Sequence, residues 1–233
     1  MAAFTFAGRT FHAIERALYW PERRALLVAD LHFEKASWFA RGGQMLPPFD
    51  SRATCEALLA LVERLDPIEI WALGDSFHDD DGPGRIDEAS LAMLARIGRG
   101  RRLVWIAGNH DEGADLPGER HDELVIDGIV LRHEALPDEE RPEISGHFHP
   151  KIRVKTAQRS VSRPCYVCDG HRIILPAFGS LTGGLDAGDP AITGLLSDGA
   201  EALIPAAGRL LRFAVSGQTA ASNASGPKLS VKL

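Results

Sequence analysis

Cysteine is scarce in this chain: Cys55, Cys165 and Cys168 are the only three in 233 residues. That is too few for a disulfide framework, and it suits a reducing compartment. Cys165 and Cys168 form a CxxC pair, but structural zinc takes four ligands and there is no second CxxC to complete the set. The pair is therefore expected to be two buried strand thiols. Long apolar runs are missing as well. No stretch approaches the roughly 20 uninterrupted apolar residues that cross a bilayer. Met1 to Thr10 also lacks the charged segment, apolar segment and cleavage site of a secretory leader. The expected location is cytoplasmic, with no membrane attachment. Positive charge is not in excess either. A formal net charge of −6 speaks against broad, salt-driven binding to nucleic acid. Two local basic stretches, Arg96 to Arg102 and Lys151 to Arg163, remain able to form a stripe on an acidic body, although a plain solvated face is the simpler expectation. No internal repeat stands out. The Ser-, Ala-, Gly- and Asn-rich residues 216–233 read as a disordered tail, leaving residues 1–215 as a single domain.

What is present is a globular composition, with 45% hydrophobic and 25% charged residues, enough for a sizeable core. Apolar runs with β-branched residues recur at Ala25 to Ala29, Ile68 to Leu73, Leu103 to Ala107 and Ile129 to Leu131, each the length of a short buried strand. Between the first two, Ala53, Ala57, Leu58, Leu61 and Leu65 share one face of a helix over Asp50 to Leu65, which Asp50 or Ser51 can cap. A second helix is predicted over Asp87 to Ile97, stopped by Gly98 and Gly100. Strand and helix alternate as in an α/β sheet. The second half is richer in strands, at Ile152 to Thr156, Cys165 to Val167, Arg172 to Leu175 and Ala202 to Ile204. Two mixed β-sheets stacked on each other and flanked by helices, a four-layer αββα sandwich, accommodate both halves.

The polar residues sit where the apolar strands end. Ala25 to Ala29 runs into Asp30-Leu31-His32, and Ile68 to Leu73 into Gly74-Asp75-Ser76-Phe77-His78. Leu103 to Ala107 runs into Gly108-Asn109-His110-Asp111. Arg132 and His133 follow Ile129 to Leu131, and Ile144 leads into Ser145-Gly146-His147-Phe148-His149. Loops at the carboxyl ends of strands in an α/β sheet converge on one crevice. Carboxylate, imidazole and amide ligands together favour manganese, iron or zinc over calcium, which prefers oxygen throughout. In extended segments, Asp-x-His and His-x-His place both side chains on one side, so each pair can clasp an ion. The glycines at 74, 108 and 146 allow tight turns directly after a strand.

The ordered series DLH, GDSFH, GNHD, a lone His133 and GHFH resembles the calcineurin-like metallophosphoesterase superfamily. The resemblance implies that Asp30, His32 and His149 hold one divalent ion and Asn109, His133 and His147 a second, with Asp75 bridging them; manganese is the expected metal, iron or zinc the others. Such a pair of ions about 3.5 to 4 Å apart activates water and polarises a phosphoryl group. The attacking group is then a metal hydroxide, and His110 protonates the leaving oxygen. Two positions depart from the pattern. Where many members carry an aspartate three residues after the bridging one, this chain has His78, which is expected to contact the phosphate or to orient His110, with Asp111 assisting. Arg132 stands where many members have glycine and is read as a surface variation.

A narrower resemblance, carried by Ala17-Leu18-Tyr19-Trp20, by DLHFEKAS and by Leu175 to Gly184, is to the bacterial DNA ligase-associated metallophosphoesterases. It implies a DNA endonuclease or phosphodiesterase of repair, acting on DNA or another phosphodiester in company with a ligase and a helicase. Lys151, Arg153 and Lys155, directly after GHFH, are the candidate contacts to the substrate backbone. Leu175 to Gly184 is expected to turn at the edge of the crevice. A phosphodiesterase or pyrophosphatase for a small nucleotide or lipid precursor is the alternative, since one metal centre serves many substrates. A non-catalytic scaffold is a further one, and it has no need of the complete ligand set present here.

Overall fold

The computed structural model describes residues 1–109, 116–155 and 159–216, with Lys155 described by its backbone alone. The chain opens with a meander of β1 (Ala2–Phe6), β2 (Arg9–Ile14) and β3 (Ala17–Trp20). Every second residue of β1 is buried, the period of a strand with one face on a core. β4 (Ala25–Ala29) is buried at every position, as befits a strand covered on both sides. Next come α1 (Lys35–Arg41), α2 (Asp50–Leu65), β5 (Glu69–Leu73), α3 (Glu88–Gly98), β6 (Arg102–Ile106) and β7 (Glu119–His121). The first sheet runs β1 to β7 in sequence order, antiparallel as far as β4 and parallel beyond it.

The second half supplies β8 (Glu123–Ile126), β9 (Ile129–Arg132) and β10 (Glu143–Ser145), then a separate ribbon of β11 (Lys151–Lys155) and β12 (Ser160–Pro164). After it come β13 (Tyr166–Cys168), β14 (Arg172–Ile174), the short α4 (Pro190–Thr193), β15 (Glu201–Ala206) and β16 (Arg209–Ala214). This sheet has the order β16-β15-β13-β14-β10-β9-β8, with β10 parallel to both β9 and β14. Buried side chains define the layers. Phe11, Trp20, Leu27, Trp71, Ile144, Tyr166 and Ile173 fill the space between the two sheets. Cys55, Leu58, Leu61, Leu94 and Ile97 press α2 and α3 onto the outer face of the first sheet. Ile192 of α4, with Ile152 and Val154 of the ribbon, covers the outer face of the second. The four-layer order is the expected one, with a thin fourth layer.

β4 and α2 have the predicted bounds. The next strand starts one residue late, because Ile68 is exposed and its N–H goes to Arg24 O at 2.9 Å. The helix ends depart more instructively. α3 is capped by Asp87, whose carboxylate accepts from Ser90 N at 3.0 Å. The expected caps of α2 do not cap it: Phe49 holds the cap position in a left-handed conformation with no side-chain bond. The Asp50 carboxylate instead accepts from Ala36 N, and Ser51 Oγ accepts from Glu34 N and donates to Glu34 Oε1. Both side chains tie α2 to the segment directly after Asp30-Leu31-His32.

Arg132 is a correction too. It is not a surface variation: only 6% of it is exposed, and it pairs with Glu123 at 2.9 Å, Glu139 at 2.8 Å and Glu143 at 3.6 Å. Glu143 is fully buried and also accepts from Arg172 Nε at 2.6 Å. Burial pushes its carboxyl up, and the two arginines pull it back down. This network anchors the starts of β10 and β14 and the return loop behind His133. Of the basic stretches, Arg96, Arg101 and Arg102 are matched by Glu63, Asp66, Glu69 and Glu119. The three thiols are free, and burial pushes each up to about 12, so none is poised as a nucleophile. Among the described residues no helix is long and apolar enough to cross a membrane. The expected tail lies, after Ser216, outside the described residues.

Removing the shared carboxylate leaves the buried guanidinium of Arg172 with no ion-pair partner among the described residues and takes one of three from Arg132. Glu143→Ala is expected to lower the unfolding free energy by about 3–5 kcal/mol in urea denaturation. A loss below about 1 kcal/mol, within the range of an ordinary exposed pair, would mean that the loop carbonyls of Leu136, Pro137 and Glu139 suffice for Arg172.

Candidate metal centre

Parallel pairing of β4 with β5 does not stop where the strands do. Asp30 N donates to Gly74 O at 3.2 Å, His32 N to Asp75 O at 3.0 Å and Phe33 N to Ser76 O at 2.8 Å. The two ligand-bearing loops of the first sheet are therefore zipped together by backbone. The second sheet meets them through Asp30: His147 N donates to its two oxygens at 3.1 and 3.0 Å. Gly146 N in turn donates to His133 O at 2.8 Å. Four loops from two sheets close on one place.

Two side-chain clusters result. Asp30, His32 and His149 form one, Asp75, His133 and His147 the other, each with its candidate ligand atoms within 4.8 Å of one another. In the first, His32 Nε2 is 3.1 Å from His149 Nε2, and the latter is 3.4 Å from Asp30 Oδ1. In the second, His147 Nδ1 is 3.0 Å from His133 Nε2, which is 3.6 Å from Asp75 Oδ1. The structure thus brings Asp30, His32 and His149 together and His133 beside His147, with Asp75, expected between the two ions, in the second group. Asn109 is an exposed residue on the turn after β6. Its neighbour Gly108 lies against the backbone nitrogen and carboxylate of Asp75, with no room for a Cβ.

The donors fit a pair of divalent ions. Asp75 Oδ1 is buried and accepts no hydrogen bond among the described residues, and Asp30 is wholly buried. Carboxylates in that position require a cation or a full set of donors. The imidazoles are oriented from behind. His133 Nδ1 lies 3.3 Å from Leu73 O; a carbonyl only accepts, so Nδ1 carries the hydrogen and Nε2 presents its lone pair. His147 Nε2 faces Glu134 Oε1 at 3.6 Å, leaving Nδ1 for the cluster. Burial holds the His147 imidazole below its ordinary range against the pull of Glu134, so it offers a lone pair at neutral pH.

The extended conformation expected for Asp-x-His and His-x-His is not adopted. Asp30, His32, Asp75, His147 and His149 have φ of 52°, 45°, 44°, 71° and 48°. Alternate residues still face one way, but through left-handed kinks that cost about 1–3 kcal/mol each and persist only where the surroundings impose them. Gly74, at φ 74°, is needed twice over, because a Cβ there would also overlap His133 Nδ1.

His78 stands one ring behind the centre, 5.5 Å from His32 between ring centroids. His110 and Asp111 lie outside the described residues. Lys151 donates to Thr182 O at 3.2 Å, while Arg153 is exposed; nothing is described of the Lys155 side chain. The Leu175 to Gly184 segment crosses the site. Phe178 N and Gly179 N donate to Ala29 O and Asp30 O at 2.8 and 3.1 Å, and Leu185 N and O bond Phe148 O and Lys151 N. A cavity of about 520 Å³ opens beside it, lined by Glu134, His147, His149 and Leu185. Two residues had no signal in the spacing. Glu134 is adjacent to His133 in sequence and nothing more. Lys35 is held low chiefly by burial, with Asp50 opposing and Lys151 adding to the shift.

A family model for the calcineurin-like phosphoesterases matches residues 23–173. Among solved structures, the crystal structure of Pseudomonas putida nuclease MPE is similar, with 29% identity and a TM-score of 0.65, over 91% of this chain and 95% of that one. A protein of unknown function from Aquifex aeolicus is 19% identical over 54% of this chain and 78% of that one, with a TM-score of 0.38. No curated protein matches the sequence.

Manganese is expected to raise the thermal unfolding midpoint, since a ligand at 100 times its dissociation constant stabilises the native state by about 2.7 kcal/mol. His149→Ala and His147→Ala, one from each cluster, should each reduce that gain. A gain equal to the parent's in both variants would show that the ions bind elsewhere.

Proposed function

Since the chain belongs to the calcineurin-like phosphoesterase family, and is a metal-dependent phosphoester hydrolase, we propose that it cleaves phosphodiester bonds in DNA as a manganese-dependent endonuclease of repair. The observation that carries this reading is the basic strand leaving the metal loop. β11 begins two residues after His149, and Lys151 and Arg153 alternate onto one face of the ribbon. Arg153 has no carboxylate partner among the described residues, on a chain whose net charge is −6. A backbone phosphate next to the scissile one meets these two cations before it meets the acidic body. The likeness to a protein named a nuclease supports the same reading. Association with a ligase and a helicase, and a cytoplasmic location, rest on the sequence resemblance.

Asp30, His32 and His149 would hold one ion, His133, His147 and Asn109 the other, and Asp75 would be shared. When bound, the ions supply the Lewis acidity that polarises a phosphoryl group and makes water a nucleophile at neutral pH. The chain's own contribution is orientation and proton transfer. Leu73 O and Glu134 fix the rings of His133 and His147. His110 gives its proton to the leaving oxygen, with Asp111 beside it in sequence. His78, in ring contact with His32, contacts the phosphate or orients His110.

A small phosphodiester or pyrophosphate is the second reading, favoured by the cavity of about 520 Å³ at His147 and His149, the size of a small-molecule site.

Cleavage of single- and double-stranded DNA should fall roughly tenfold between about 50 and 200 mM salt if two phosphates are contacted, and Arg153→Ala should lower the salt slope by about one. Cleavage indifferent to salt, or none beside rapid hydrolysis of a small diester, transfers the assignment to the second reading. For His78→Ala, the expected result is a raised KM or a displaced pH–rate profile; if both stay as in the parent, His78 neither contacts the phosphate nor orients His110.

A further inference from the structure

A row of aromatic rings leads outward from the metal centre. His78 packs edge-on against His32 with centroids 5.5 Å apart and stacks on Phe39 at 5.8 Å, the planes 19° apart. Trp38 meets both His78, at 5.0 Å, and Phe39, at 4.9 Å, and each of these contacts is an edge contact at 83°. Trp38 is 43% exposed. One exposed tryptophan on a surface needs no explanation. This one differs in its setting. It lies two ring contacts from a residue of the metal cluster, and neither of its ring contacts stacks on it. α1, which carries it, is also tied to its neighbours: Ala36 N donates to Asp50 of α2 at 3.0 Å, and Arg85 Nε to Ser37 Oγ at 2.9 Å. A flat, half-exposed ring on a pinned helix is a low-entropy stacking surface.

Resting on the reading of the chain as a DNA phosphodiesterase, we infer that Trp38 is the platform on which a nucleobase flanking the scissile phosphate stacks. The chemistry is complementary to that of β11. Lys151 and Arg153 address phosphates, and every phosphate is alike; Trp38 addresses the base, and every base has a π-face. The base beside a scissile phosphate is one sugar away from it, a span of the kind that His78 and Trp38 offer from His32. Trp38 thereby sets which nucleotide is held across the metals and how far the strand can slide.

The test is an abasic scan. The manganese-loaded chain is given oligonucleotides in which one abasic residue is stepped through the positions on either side of a mapped cut, and cleavage is read at nucleotide resolution. In the parent, one position should lower kcat/KM about tenfold. In Trp38→Ala the penalty at that position should vanish, because the partner is already gone, and Trp38→Phe should restore most of it. A tryptophan that merely buttresses His78 would lower cleavage of every substrate in Trp38→Ala and leave the abasic penalty in place, which overturns the inference. So does a parent with no penalty at any position. If the parent hydrolyses a small diester and cuts no DNA, the nucleic-acid reading itself fails, and the platform with it.

Discussion

A carboxylate with no exposed surface, Asp30, joins the two sheets. Its backbone belongs to the tail of β4 and is bonded to Gly74, while its side chain accepts the N–H of His147 from the far sheet. Buried negative charge is tolerated only when its lone pairs are engaged, and here the engaged partners are the residues that must converge for an ion to be held. Loss of Asp30 would leave an unsatisfied amide at His147 and release the loop that carries His149. The same atoms thus join the sheets and are offered to the candidate centre, whose clusters come together in large part through the packing of one sheet on the other.

The left-handed kinks at five cluster residues arise from the same geometry. A strand that continued straight would carry alternate side chains away from the crevice with the sheet's twist; kinking at every second residue turns both members of Asp-x-His and His-x-His inward at a shorter span. That conformation is imposed by neighbours on every side. Backbone bonds to Gly74, Asp75 and Ser76 hold the first loop, the Phe178 to Leu185 segment bonds across both loops, and Asp50 and Ser51 clamp Glu34 and Ala36 just beyond the first loop. Strain held in this way pre-arranges ligands before a cation arrives.

The apolar strands, both larger helices and the layer order were legible in the sequence, because each depends on local periodicity, and the polar residues that gather in the two clusters stood out at the strand ends. The rest was not, for reasons that differ. Asp50 and Ser51 have the chemistry of caps; only the tertiary approach of α1 gives their oxygens better donors. Arg132 read as surface because a charged residue seldom lies within a sheet, yet Glu123, Glu139 and Glu143 arrive from three separate segments to receive it. The meander of β1 to β3 alternates correctly but is short, and its Ala and Thr positions dilute the pattern. Glu134 and Lys35 orient or charge the site from positions with no motif. His110 and Asp111 rest on their motif alone.

Net charge and local charge point in opposite directions in this molecule, and distance decides between them. At physiological ionic strength the Debye length is about 8 Å, so carboxylates on the remote end of either sheet barely act on a phosphate at the centre. Arg96, Arg101 and Arg102 are matched by nearby carboxylates. Directly after His149 the positive charge is carried by Lys151 and the exposed Arg153, while His78 and Trp38 extend a row of rings from His32. A short basic strand beside the candidate centre on a chain of net charge −6 offers polyanions a local approach that the net charge does not. Such an arrangement favours a strand that is threaded to the site over one that coats the surface.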